Sequence, residues 1–370
     1  MRRMTAVRRP GIDFWRGFAL LTIFVNHIPG HVLYAFTHRN FGVSDAAELF
    51  VLLAGVSAAF AYLRDSGAGL GSRRIVDVLM RAFQLYVAHL ALVLVAVAVI
   101  GAFVVRTGDM RVLQWFHLDV LVAQPVEALV GVALLTFQPA YLNILPLYVS
   151  ILLLLPVLLL LFARSTMLGL AVSLALYVAA QLFGWAPPVW PNDGGWSFNP
   201  LAWQFLFACG LALGQGIESG VRVSNRVLDV VAPAYLAAAA AWALLDYPVT
   251  PDFSPLPAFL WDFDKVNLTL PRLLHVLALA YCVSRLPLGR LYAHLMAQPL
   301  VVMGRHPLPV FCLGTVLSLA AQVMRPEFAG ALSFDLLILA AGVLGQGALA
   351  FALDWHRHGV RRADRTAATR

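Results

Sequence analysis

Charge is scarce in this 370-residue chain: 12% of its residues are Asp, Glu, Lys or Arg, about half of the ~25% in an average soluble domain. Apolar residues make up 61% and the mean hydropathy is +0.80. No soluble core can hide that much apolar surface, so a soluble enzyme, a disordered chain and a coiled coil are excluded. Lysine is rarer still, with Lys265 standing alone, and the formal charge of +7 rests on arginine. No RNA- or DNA-binding motif accompanies those arginines. On a polytopic chain they read as residues of loops kept on the cytoplasmic side, not as a nucleic-acid surface. Cysteine is limited to Cys209, Cys282 and Cys312, each inside an apolar run and without C-x-x-C or zinc spacing. No Walker motif follows the glycines of Gly69-x-Gly71-Ser72, and Gly55-Val-Ser57 lacks the closing glycine of a hydrolase elbow. Neither a long-period repeat nor a matched pair of broken helices is visible, which weighs against a secondary transporter.

What remains is an all-α, polytopic membrane protein. A bilayer-spanning helix needs about 20 mostly apolar residues, and ten segments qualify: 14–36, 44–63, 82–104, 144–163, 167–184, 201–217, 228–245, 271–285, 303–324 and 335–353. Segment 120–136 is apolar but short and broken by Gln124 and Glu127, so it reads as an interfacial or re-entrant element. The opening arginines and apolar run resemble a signal peptide. Asp13, Arg16, Asn26 and His27 do not suit an apolar signal core, so the run reads as an uncleaved first span. With ten spans and both termini cytoplasmic, seventeen basic residues fall inside and six (Arg39, Arg106, Arg111, Lys265, Arg272 and Arg325) fall outside. Arg16, Arg81 and Arg305 mark inner helix ends. This asymmetry obeys the positive-inside rule. The expected organisation is a cytoplasmic segment 1–13, one membrane domain 14–355 and a basic cytoplasmic tail 356–370. The outer loops collect Asp246, Asp252, Asp262 and Asp264 beside aromatics, with a second aromatic-rich loop from Trp185 to Trp203. They suit a polar ligand and equally suit an interfacial aromatic belt.

Ionisable residues within spans are costly and mark function by default. The first span is the densest case, with Asp13 and Arg16 at its start and Asn26-His27 further on. Eleven residues at about 100° each make roughly 20° more than three turns, so Arg16 and His27 share a face, about 16 Å apart along the axis. That geometry puts a cation at the cytoplasmic interface and an imidazole halfway or more across, and imidazole is the side chain best able to exchange protons near neutral pH. Arg16 also reads as a positive-inside anchor, and His27 as a hydrogen-bonded core residue. His27 and His31 have metal spacing, but Pro29-Gly30 breaks the register between them, and no metal is expected. Ser44 or Asp45 caps the second span with Glu48 at the third or fourth helical position. From there Glu48 faces the end of the first span and would orient His27 as a third group orients a catalytic base; Asp13 is the other carboxylate for that role. Arg73, Arg74, Arg81 and Arg305-His306 sit at inner ends, where arginines suit the phosphates of a nucleotide-like donor. Arg73 and Arg74 read as well as positive-inside anchors, Arg81 and Arg305 less so because they lie at or within apolar runs.

The run Asp13-Phe14-Trp15-Arg16-Gly17, Asn26-His27-Ile28-Pro29-Gly30, Arg39-Asn40-Phe41-Gly42 and Ser44-Asp45-Ala46-Ala47-Glu48 resembles the OpgC family, inner-membrane proteins that succinylate osmoregulated periplasmic glucans. The similarity continues through Asn143-Ile144-Leu145-Pro146-Leu147-Tyr148, Phe198-Asn199-Pro200 with Leu201-Ala202-Trp203-Gln204, Arg272-Leu-Leu-His275 and Gly304-Arg305-His306-Pro307-Leu308-Pro309-Val310-Phe311. It covers about residues 10 to 355. That family looks like a relative of the type-three membrane acyltransferases, whose first helix carries an Arg and a His separated by ten residues, as Arg16 and His27 are here. The resemblance implies a membrane O-acyltransferase taking an acyl group, succinyl by analogy, from cytoplasmic acyl-CoA to hydroxyls of a periplasmic glucan, with no permanently bound cofactor. His27, Arg16, Asp13 and Glu48 would form the catalytic group. Arg81, Arg74, Arg305 and His306 would hold acyl-CoA, and Asn26, Arg39, Asn40, Asp45, Trp203, Lys265 and His275 would face the acceptor. A transporter or flippase lined by the same charges is the competing class, and a scaffolding subunit the third.

Overall fold

The computed structural model describes residues 9–63, 71–191, 195–221, 223–247, 252–328 and 331–367, the last ten by backbone alone. Arg2, Arg3, Arg8, Arg64, Arg222 and Arg370 of the charge count lie outside the described residues, as does Gly69. So do the side chains of Arg361, Arg362 and Arg365 in the basic tail. Among the described residues there is no strand. In chain order the helices are α1 (Pro10–Asn26), α2 (Ala46–Tyr62), α3 (Ser72–Thr107), α4 (Arg111–Trp115), α5 (Asp119–Ala123), α6 (Pro125–Ala133), α7 (Ile144–Arg164) and α8 (Thr166–Phe183). They continue with α9 (Pro200–Glu218), α10 (Leu228–Leu244), α11 (Leu270–Arg285), α12 (Gly289–Ala293), α13 (Gln298–Arg305), α14 (Pro307–Met324) and α15 (Leu332–Ala367).

Among the described residues six helical stretches are long and apolar enough to cross a membrane: Ser72–Thr107, Ile144–Arg164, Thr166–Phe183, Pro200–Glu218, Pro307–Phe328 and Leu332–Arg357. Helices α2 and α10 are apolar but shorter. All ten expected segments fall on helices, and 120–136 is divided among short helices. Three boundaries differ for physical reasons. The first segment, expected over 14–36, is helical only to Asn26, because Pro29 and Gly30 (φ +85°) turn the chain into short 3-10 turns. The third begins ten residues early: α3 runs about 54 Å, and its first turns carry Arg73, Arg74 and Arg81 on a helix that outlasts its apolar stretch. The ninth is split at His306 (φ −124°, ψ +53°), with Pro307 opening α14.

Contacts divide the chain where the sequence suggested one membrane domain. The larger unit comprises His38–Leu286, and the smaller joins Val7–Thr37 to Pro287–Arg370. In the larger unit α2 packs on α9, α3 on α7, α8 on both α7 and α9, and α10 on α11. In the smaller, α1 packs against α13 and α14, and α15 against α13 and α14. The α1–α13 crossing needs bare backbone: a Cβ on Gly17 would strike the Leu300 carbonyl, and one on Gly304 the Asp13 carbonyl. Small residues at such crossings let helices in lipid gain van der Waals contact. Here they also deliver Arg305, the next residue, to the start of α1. Phe24 and Ile28 close the other end of α1 against Ala321 and Leu339.

Candidate functional site

The smaller unit carries two polar assemblies, one at each end of α1. At the start of the helix, Arg16 Nη1 lies 3.8 Å from Asp13 Oδ1, and Arg305 Nε lies 3.9 Å from Asp13 Oδ2. Arg305 Nη1 donates to Asp354 Oδ2 at 3.2 Å, and His306 Nε2 meets Asp354 Oδ1 at 3.3 Å. Two guanidinium groups and two carboxylates thus balance at a partly buried helix junction, where unpaired charge would be expensive. Asp354 is the member that sequence reasoning missed. It sits one residue beyond the last apolar run, 335–353, and carries no local signal. His306 is buried and committed to Asp354, so of the expected phosphate ligands here Arg305 keeps the greater exposure.

At the far end, His27 is the C-cap of α1, with its N–H bonded to the Ile23 and Phe24 carbonyls. The imidazole therefore stands at the end of a helix about 25 Å long, not within a continuous span. Beyond it the turn is clamped. Arg325 donates Nη1 to the Pro29 carbonyl at 3.1 Å and Nη2 to the Gly30 carbonyl at 2.7 Å. Asp335 fixes the same guanidinium through Nε at 2.7 Å and Nη2 at 3.1 Å. The fork of Arg325 thus holds two carbonyls that the helix break leaves without intrahelical donors. His31 is spent locally: Nδ1 accepts the Tyr34 N–H at 3.1 Å and Nε2 faces the Val25 carbonyl at 3.0 Å. Among the described residues no group of His, Cys, Asp and Glu could hold a metal. Asp13 corrects one expectation. It lies fourteen residues from His27, about 21 Å along the axis, and partners arginines, so it does not support that imidazole. Asn26, next to His27, has a buried Oδ1 with no hydrogen-bond partner among the described residues.

The larger unit joins two of the expected acceptor residues, Asp45 and Lys265, with Glu48 and Arg272 in one largely buried ionic cluster. Asp45 caps α2 and Glu48 closes the capping box, as the spacing predicted: Asp45 Oδ1 accepts the Ala47 N–H at 2.8 Å and Glu48 Oε2 accepts the Asp45 N–H at 3.0 Å. Glu48 is fully buried. Arg272 grips its Oε1 through Nε at 2.8 Å and Nη2 at 2.5 Å. Lys265 Nζ meets Asp45 Oδ2 at 2.5 Å and stands 5.2 Å from the centre of the Phe198 ring. Both oxygens of Glu48 are thus committed inside its own unit, to Arg272 and the Asp45 backbone. Burial pushes the His38 imidazole below its ordinary value, against the opposing pull of Asp45, so it adds no third positive charge at neutral pH.

Two expected acceptor contacts are corrected here. Trp203 is fully buried, and its indole N–H donates to the Lys265 and Val266 carbonyls at 3.1 Å each, so it anchors a loop and offers no stacking face. His275 is also buried, with Nδ1 2.7 Å from Ser44 Oγ and Nε2 against Gly42, where a Cβ would collide with the ring. Arg39 and Asn40 lie on the 3-10 turn His38–Phe41, Arg39 being exposed. Of the expected donor residues in this unit, Arg74 donates to the Tyr62 carbonyl at 3.3 Å, closing the end of α2, and Arg81 donates to Gln84 at 3.1 Å.

A family model described as OpgC protein matches residues 8–358, nearly the whole chain. No curated protein and no solved structure matches it.

Proposed function

Since the chain belongs to the OpgC family, we propose that it is a membrane O-acyltransferase that moves a succinyl group from cytoplasmic succinyl-CoA to hydroxyls of a periplasmic glucan, in the bacterial inner membrane. The observation that carries this reading is α1. One helix face bears Arg16 within a charged junction at one end and His27 at the other, beside a backbone break tied down by Arg325.

In this mechanism His27 takes the proton of the acceptor hydroxyl as its oxygen attacks the thioester carbonyl. The carbon–sulfur bond then breaks, the imidazolium returns the proton to the leaving thiolate, and an ester and free CoA result. Arg16 and Arg305, held in place by Asp13 and Asp354, would turn guanidinium N–H donors toward the CoA phosphates. The test is release of free thiol from succinyl-CoA by purified protein in liposomes, with glucan added. Expected is glucan-dependent release, falling about 10²–10⁴-fold in His27→Ala. Near-normal release by that variant at equal protein level overturns the role of His27. A wild-type protein that moves substrate without releasing thiol is a transporter.

A further inference from the structure

A cavity of about 460 Å³ opens in the larger unit between the end of α8 and the segment leading into α11. Its position along the helices fixes its side. Helix α8 starts two residues after Arg164 and runs about 27 Å to Phe183, while α11 starts at Leu270 beside the cavity and ends on Arg285. The cavity therefore lies at the ends remote from both arginines, which the positive-inside rule assigns to the outer face.

Its wall is built for hydrogen bonding: two carboxylates, two amides and a hydroxyl, with no cation among the lining residues. Asp264 shapes that wall, accepting the Val266 N–H at 2.9 Å and, on its other oxygen, the Asn267 N–H at 3.1 Å and Nδ2 at 2.9 Å. Its carbonyl takes the Thr269 hydroxyl at 3.2 Å. Gln181 Nε2 ties the end of α8 to the Asn267 carbonyl at 2.5 Å. Asp262 has a lighter structural duty, accepting the Phe263 N–H on Oδ1 at 2.6 Å, and its Oδ2 is available as an acceptor. A half-buried carboxylate beside amides recognises vicinal hydroxyls through charge-assisted bonds, and the volume falls within the range of small-ligand sites. Arg272 and three N–H donors offset the charge of Asp264, so Asp262 is the carboxylate that disfavours an anion in a lining without a cation.

We propose that this cavity holds an uncharged sugar unit of the acceptor and turns away units that already carry a carboxylate. The proposal rests on the acyl-transfer reading and adds to it a selection of unmodified over succinylated sugar. It is tested with the purified full-length protein, without acyl donor, titrated with a neutral glucose hexasaccharide and with the same hexasaccharide bearing one succinyl half-ester. Wild type is expected to bind the neutral form at least about tenfold more tightly. Asp262→Asn brings the two affinities closer together by weakening the repulsion. Ala258→Trp, which fills the cavity from an exposed position, removes binding of the neutral form. Equal affinity of wild type for both forms, or full binding by Ala258→Trp, overturns the proposal. If binding follows the expected pattern yet succinyl-CoA yields no thiol, the acyl-transfer reading fails and the cavity stands. If thiol is released and Ala258→Trp keeps the wild-type KM for glucan, the cavity fails and that reading stands.

Discussion

Arg272 has the most to lose at the scale of single residues. Its guanidinium neutralises Glu48, which has no exposure at all, and removing one partner of a buried pair strands the other charge in a poor solvent. Arg272→Met should lower stability by about 3–5 kcal/mol, whereas Arg272→Met with Glu48→Gln should recover much of that loss. Thermal unfolding in detergent measures both. His38 supplies a pH dependence of known sign. Its folded pKa lies below the ordinary 6.5, so the unfolded chain binds its proton first as pH falls. Stability is therefore full above about pH 6.5 and declines below it. His38→Gln should flatten that decline in unfolding curves recorded from pH 7.5 to 5. Local spacing made one part of this cluster legible: Asp45-x-x-Glu48 is a capping box in the sequence and in the fold. The partner of Glu48 lies 224 residues away, and no spacing rule reaches that far. Trp203 was misread for the opposite reason, since an aromatic beside a loop looks alike whether it meets sugar or anchors the loop.

Among elements, the α1–α13 crossing is the most exacting. Gly304 meets the Asp13 carbonyl so closely that any side chain must part the helices and pull Arg305 from Asp13 and Asp354. Gly304→Val is expected to cost at least about 1–3 kcal/mol, the usual toll of overpacking, and to depress acyl transfer together with stability. Arg325→Lys should act differently. It keeps the charge beside Asp335 but loses the fork that holds both carbonyls, so kcat for thiol release should fall with little change in melting temperature. Helix existence was readable from apolar run length: every expected segment contains a helix, though six among the described residues are long and apolar enough to cross a membrane. Helix ends were not. Pro29-Gly30 announced the break after His27, but a count tuned to about 20 residues per span ran through it. The early turns of α3 went unseen because their arginines and aspartate look like loop.

On the scale of the whole molecule, the arginine distribution makes a prediction about sidedness. Ser254→Cys, in the loop before α11, should react with a membrane-impermeant thiol reagent in intact cells. Arg226→Cys, just before α10, should react only after permeabilisation. The reverse pattern would invert the orientation inferred from the charges. The division into two units could not be read from sequence at all, because it joins residues near the start of the chain to residues near its end. Composition announces a membrane protein but carries no record of which helices become neighbours.

That joining has a bearing on biogenesis. Helix α1 leaves the ribosome well before α13, α14 and α15, against which it and its neighbours pack. Until they emerge, Asp13 lacks its contact with Arg305, and Gly17 awaits the backbone it was shaped to touch. A nascent chain stalled before residue 287 would thus leave α1 an orphan, making the synthesis of residues 287–370 the step that commits the protein to its mature form.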